Sequence, residues 1–260
     1  MYTIFADATP EREAAFNELV ERIQKLSYPS AIKYMDSIVK DPKLRFILSL
    51  GFGGELADTD LKSKDCDIAV QELMPTQNEI DLDKSLQWIL NGKQDLRKFF
   101  KPSVTVVAPI VSFKSTFVID GHHRWSQAYI CNPKLKIKAI DFTGALSPMQ
   151  MLKAVQATIG SNLGKIPVST VDGKSLYKVS EEQLVQYVDR YLTDKAAEQY
   201  IDLVDDVENR DDVIYYLVTN AMQLKANNTP ILGAPKRNIM PQCDEDPDVF
   251  DDLNEGVTEL

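Results

Sequence analysis

The sequence predicts an α+β fold: a compact α/β core with helical additions at both ends and an acidic tail. Three observations predict it. Between residues 66 and 142, β-rich runs alternate with stretches that show one apolar helical face. Before residue 54 and after residue 147 the apolar residues recur almost only at helical spacing. The last residues carry charge but few apolar anchors. The expected organisation is therefore residues 1–54 as an N-terminal helical segment, 66–142 as the core, 147–226 as a helical C-terminal region and 227–260 as an extended acidic tail.

Taken in order, Thr9-Pro10 offers an N-cap and a first-turn proline, with Glu11 and Glu13 placed for the helix dipole. Phe16, Leu19, Val20 and Ile23 then share one face. A second helix is expected over Ala31–Val39 and a third over Lys43–Leu50, closed by Gly51-Phe-Gly-Gly54. Residues 55–67 are polar and read as a loop, and Ile68–Leu73 as a short strand ahead of a turn at Pro75–Glu79. Leu82, Leu86, Ile89 and Leu90 mark a helix stopped by Asn91-Gly92. Val104–Phe113 is β-rich but carries Pro109, so part of it is an edge or a bulge. Lys114-Ser115 turns it into the next strand, and Ile137–Phe142 returns as another. Ser147-Pro-Met-Gln150 and Ser180-Glu-Glu-Gln183 are capping boxes. The first opens a helix along Leu152, Val155 and Ile159 that Gly160 ends, and the second leads Leu184, Val188, Tyr191 and Leu192. Asp172-Gly173 between Val168–Val171 and Lys174–Val179 signals a β-hairpin. Ile214, Leu217, Val218, Ala221 and Leu224 mark the last helix.

The chain of 260 residues has three cysteines, Cys66, Cys131 and Cys243, without paired spacing, which argues against a disulfide framework or a structural zinc site. No apolar run is long enough to span a membrane, and the acidic N-terminus is unlike a signal peptide, so a cytoplasmic location is expected. The net charge is −10, but residues 244–260 hold eight acids and no Lys or Arg, leaving −2 for residues 1–243. No general basic field exists to drive nonspecific nucleic-acid binding.

The most informative stretch is Thr116-Phe-Val-Ile-Asp-Gly-His-His-Arg-Trp-Ser-Gln-Ala-Tyr-Ile-Cys131. An apolar strand breaks at Asp120-Gly121 and a helix follows, with Trp125, Ala128 and Tyr129 on its inner face. A strand, a glycine turn and a helix N-terminus leave several backbone N–H groups unpaired at one point, which favours an anion. Asp120, His122, His123 and Arg124 surround that point, and the two histidines are the only ones in the chain. Backbone N–H groups after Gly121 would hold phosphate oxygens, Arg124 would clamp them and His123 would add a donor.

Asp120-Gly-His-His-Arg-Trp125 resembles the Gly-x-x-Arg phosphate loop of the ParB/sulfiredoxin superfamily, and Glu72-Leu-Met-Pro-Thr-Gln77 with Glu79-Ile-Asp81 resembles its first box. The likeness covers about residues 66–142. Where sulfiredoxin carries Gly-Cys-His-Arg, His122 replaces the attacking cysteine. Where ParB proteins carry Gly-Glu-Arg-Arg, His122 and His123 replace the middle residues. The nearest pattern is that of the free-serine-kinase branch, Asp-Gly-His-x-Arg. The resemblance implies a nucleotide-dependent phosphotransferase or nucleotide hydrolase, with Glu79 as base, Asp120 as second carboxylate and His122 beside them. It places Thr76, Gln77, Gly121, His122, His123 and Arg124 at the nucleotide, ATP or ADP with CTP as the alternative, and Mg²⁺ at Asp120 and Glu79. The competing readings are a ParB-like DNA-binding regulator, a nuclease, and a phage-encoded structural or assembly protein with an inactive fold. A homo-oligomer or assembly partner that orders the tail is a further expectation. Cys131 reads as buried packing.

Overall fold

The computed structural model describes residues 9–49, 61–169 and 173–254. Ten helices are described: α1 (Pro10–Lys25), α2 (Tyr28–Lys40), α3 (Pro42–Ser49), α4 (Leu82–Leu90), α5 (His122–Cys131), α6 (Pro148–Leu163), α7 (Glu181–Tyr191), α8 (Asp194–Leu203), α9 (Arg210–Asn227) and α10 (Val249–Asn254). The strands are β1 (Lys62–Ala69), β2 (Met74–Pro75), β3 (Ile110–Phe113), β4 (Phe117–Asp120) and β5 (Lys136–Thr143), with short 3₁₀ turns between. The α+β class expected from the sequence is the class observed. Among the described residues no helix is long and apolar enough to cross a membrane.

The chain forms two compact units, each assembled from separate stretches. One draws on residues 1–62, 143–170 and 238–260, the other on 63–142 and 171–237. This grouping cuts across the four sequential segments expected. The reason lies in α6, which buries eleven consecutive residues from Met151 to Ser161. A helix buried on every side must be wrapped, and α2, α3 and α10 wrap this one.

In the helical unit, Thr9 caps α1 by accepting from the Arg12 N–H at 3.4 Å, and Phe16, Leu19 and Ile23 form its buried face. The C-terminal end of α1 would leave carbonyls unpaired inside the protein. Lys153, 5% exposed, meets them: its ammonium donates to the carbonyls of Ile23 at 3.0 Å, Gln24 at 3.1 Å and Leu26 at 2.8 Å. Desolvation pulls the Lys153 pKa down. Gly160 does not end α6 as expected. It sits inside the helix, where an added Cβ would lie 2.6 Å from Ile166 and 3.1 Å from Val39, and the helix closes at Gly164 in the left-handed conformation. Here glycine serves close packing.

The acidic tail is also corrected. Through Asn254 it is not an extended coil: residues 243–245 form a 3₁₀ turn and α10 packs on α6 with Val249 and Leu253 buried. Asn162 donates to Asp246 at 3.0 Å, and Lys165 pairs with Glu245 at 3.1 Å. The few apolar residues that argued for disorder are the ones that dock.

In the second unit a five-stranded sheet has the order β1-β5-β3-β4-β2. β2 runs parallel to β4, β3 antiparallel to β4 and parallel to β5. β1 occupies Lys62–Ala69, part of which was expected to be loop; its polar sequence shows little apolar alternation. A bulge between Val111 and Ser112 answers the irregularity expected near Pro109. The β3–β4 turn places Lys114 and Ser115 at φ 53° and 51°, a conformation usually left to Gly, Asn or Asp. The buried Asp141 carboxylate compensates. It accepts from the Ser112 hydroxyl, the Ser115 N–H and the Ser115 hydroxyl, each at 2.7 Å. The turn at Asp172 of the hairpin expected over 168–179 lies outside the described residues; beyond it Ser175 bridges Asp81, with Leu176 N–H donating to Ile80 O at 2.6 Å.

Trp125, Tyr129, Phe99 and Tyr200 are the large buried side chains at the centre of this unit. Trp125 donates to the Val70 carbonyl at 2.8 Å, as a core residue would. α5 packs on α4 and α9, and α7 and α8 pack on α9. The helix α8 was not singled out in the sequence. Its inward face is Ala196, Ala197 and Tyr200, two of them too small to stand out as a hydrophobic stripe.

Removing residues 243–260 is expected to lower the melting temperature by roughly 10 °C, because burial of Val249 and Leu253 contributes about 1.5–3 kcal/mol each. Calorimetric melts of the full chain and the truncation check this. A change of only a degree or two would show that α10 contributes nothing to the helical unit.

Candidate functional site

The geometry begins at Asp120, the last residue of β4. Gly121 follows at φ 89°, ψ 27° and precedes α5 without giving it a side-chain cap. Two constraints require glycine here. The conformation is left-handed, and a Cβ would stand 2.8 Å from Ile110 and 2.9 Å from both Nε and Nη2 of Arg124. The Arg124 guanidinium thus lies against the turn. Its Nη2 donates to Asp120 Oδ2 at 2.8 Å, while its Nε is buried with no acceptor among the described residues. Unfilled donors therefore accumulate at one helix N-terminus.

The histidines do different work from that expected. His122 is buried and turns inward, where its Nε2 accepts from the Thr76 N–H at 3.2 Å. His123 Nε2 accepts from the Asp81 N–H at 3.2 Å. Two adjacent residues at the start of α5 thereby hold both ends of the 76–81 segment. An imidazole that accepts at Nε2 is neutral and protonated at Nδ1. Burial holds both histidines neutral, with pKa values lowered from 6.5 to about 3. Neighbouring cations reinforce this, Arg124 at His122 and Arg237, Lys84 and Arg124 at His123. Thr76 and Gln77 are buried as well. Thr76 donates to the Val118 carbonyl at 2.6 Å, and Gln77 donates to the carbonyl of Glu79.

Glu79 makes none of its described contacts with the glycine turn. Its carboxylate receives the Lys178 ammonium at 2.7 Å, which, with the Arg237 N–H, holds it below the ordinary carboxylate range. Beside it Asp81 caps α4 by accepting from the Lys84 N–H at 3.0 Å and pairs with Arg237 at 3.3 Å. Arg237 arrives on a segment that runs along residues 71–78. Asn228 donates to the Gln71 and Leu73 carbonyls at 2.8 Å, Ile231 N–H to Pro75 O at 3.2 Å, and Asn78 N–H to Pro235 O at 3.0 Å. Around these pairs is a cavity of about 270 Å³ that no residue of Asp120–Arg124 lines.

The structure thus brings Asp120, Gly121 and Arg124 together, buries Thr76, Gln77 and His122 in contacts within the protein, and sets Glu79 at a separate cavity. Among the described residues no three His, Cys, Asp or Glu side chains cluster as a metal-ligand set. Cys131 is fully buried, accepts from Tyr200 OH at 3.4 Å, and has its thiol pushed up to about 12 by burial, so it is packing, as expected. Sequence reasoning passed over Arg237, Lys178 and Ser175. They lie about 100 or more residues beyond Glu79, and no local spacing signals them. Compared with known proteins, the chain matches no family model, no curated protein and no solved structure.

A pH dependence follows from the histidines. The unfolded chain binds a proton on each below pH 6.5, whereas the folded chain refuses it down to about pH 3. Their contribution to stability is complete above pH 6.5 and is lost as the pH falls through that interval. Melting temperatures measured at stepped pH should therefore drop more steeply below pH 6.5 in the wild type than in His122→Gln, whose amide oxygen can accept the Thr76 N–H without titrating. Equal slopes would remove His122 from this role.

Proposed function

We propose that the chain is a ParB-like nucleotide-binding protein, a nucleotide-dependent phosphotransferase or nucleotide hydrolase, with the phosphates at the Gly121–Arg124 turn. The observation that carries this reading is the buried Arg124 Nε without an acceptor, beside an uncapped helix N-terminus. A phosphate oxygen there would satisfy an orphaned charged donor and the first-turn N–H groups of α5 together. The order of β2, α4, the β3–β4 hairpin, the glycine turn, α5 and β5 supports the same reading, since it is the order implied by the resemblance.

Within this reading the roles shift from those first expected. Asp120 is the carboxylate at the turn and would hold Mg²⁺ or accept a hydroxyl proton. It now occupies Arg124, so a phosphate must compete with it for the guanidinium. His122 and His123 are positioning residues, which keep segment 76–81 in place and carry no charge at neutral pH. Thr76 and Gln77 shape that segment from inside. Glu79, ionised and held by Lys178, is a poor candidate for a free base at the turn. The DNA-binding regulator loses support because the exposed faces of α7–α9 carry Glu181, Glu182, Asp189 and Asp211, which repel a phosphate backbone.

Calorimetric titration of ATP, ADP and CTP with and without Mg²⁺ tests the reading. Arg124→Ala should weaken binding by about 1.5–3 kcal/mol, the loss of a charge-assisted bond. Asp120→Asn should leave the fold intact and lower turnover by roughly 10²-fold. Failure of the wild type to bind any nucleotide at millimolar concentration would end the proposal.

A further inference from the structure

The cavity beside Glu79 has features that the glycine turn does not explain. Its wall contains Ser175, which is 8% exposed and whose hydroxyl is buried without a hydrogen-bond partner among the described residues. Such a group costs free energy unless something outside the protein satisfies it. The charges are also unbalanced. Glu79 and Asp81 are matched by Lys178 at 2.7 Å and Arg237 at 3.3 Å, and Lys174 stands at the same wall outside the described ion pairs. Among the described residues of the wall, three cations stand against two carboxylates. Ile80 and Val179, both buried, supply an apolar side. Gly173 is pressed so closely on Asp81 that a Cβ would come within 2.6 Å of its carboxylate, which keeps this wall thin.

We propose that this cavity is a binding site for a small organic anion with one net negative charge, which takes Lys174 and Arg237 as its charge partners and the Ser175 hydroxyl as its hydrogen-bond donor. The volume of about 270 Å³ is just below the range of drug-sized pockets, so it suits a metabolite and excludes a polymer. The apolar part of the lining favours an organic molecule over a bare inorganic ion. Arg237 has a long bond to Asp81 and four further N–H donors, so it can turn one edge to a ligand while keeping its ion pair. The site shares no residue with the Gly121–Arg124 turn and stands whether or not nucleotide binds there.

The test is calorimetry on the full chain against two probe sets that carry one negative charge, short-chain monocarboxylates and sugar monosulfates, with inorganic phosphate as the bare-ion control. The expected result is binding of an organic probe, tighter than inorganic phosphate, and weakened roughly tenfold by Ser175→Ala and by Lys174→Gln. Arg124→Ala should bind the same probe as the wild type, which separates this site from the nucleotide reading. Ser175→Ala should melt no lower than the wild type, because it removes an unsatisfied hydroxyl. Lys174→Gln changes an exposed side chain, so its effect on binding is read on a folded chain. The proposal is overturned if no organic probe binds at about 10 mM, if both cavity variants bind as the wild type does, or if Ser175→Ala melts markedly lower.

Discussion

The arrangement of the α/β unit depends on two neutral imidazoles accepting backbone N–H groups. Thr76 and Asp81 would otherwise bury donors without partners, at a cost of about 1–3 kcal/mol each. His122 and His123 pair with them from consecutive positions at the start of α5. This bond pattern fixes where α4 begins, since Asp81 is both the bonded residue and the cap of that helix. The buried hydroxyls of Ser85 and Ser126, 2.8 Å apart, join the same two helices one turn further in. Everything placed by Asp81, including its pair with Arg237, inherits its position from a side chain 42 residues along the chain.

Much of this architecture was legible because its causes are local. Thr9, Ser147 and Ser180 cap their helices as their spacing implies, and the Ser147 and Ser180 boxes form both reciprocal bonds. The glycine turn before α5 was legible for the same reason. What escaped was set by tertiary contacts. Gly160 looks like a stop signal, yet Ile166 and Val39 close over it and leave room only for a hydrogen. Val249 and Leu253 look too sparse to fold, yet α6 offers them a ready apolar surface. The histidines were read as ligand donors because chemistry-bearing residues at a turn usually face outward. Their inward direction depends on unpaired N–H groups about 40 residues upstream, which no pattern in the sequence marks.

Charge is distributed by the same logic of local pairing. Asp120, Glu79 and Asp81 are each held by a cation, Arg124, Lys178 and Arg237 respectively. A carboxylate so held is aimed, and an anion arriving at Arg124 must be exchanged against Asp120. At the glycine turn a ligand would be retained only where its charge and shape replace the Asp120–Arg124 bond. The Lys153 ammonium shows the opposite case. All its donors are spent on three carbonyls, and nothing remains to offer a ligand.

The discontinuous make-up of the two units has a consequence for synthesis on the ribosome. The helical unit takes its parts from the beginning, the middle and the final stretch of the chain, whereas the α/β unit is complete by residue 237. During elongation α1–α3 emerge first and must wait for α6, and then for α10, before their apolar faces are fully covered. The α/β unit can close while its companion is still unfinished. Vectorial folding thus favours the later-starting unit, and the earliest helices are the ones exposed longest to chaperones and proteases.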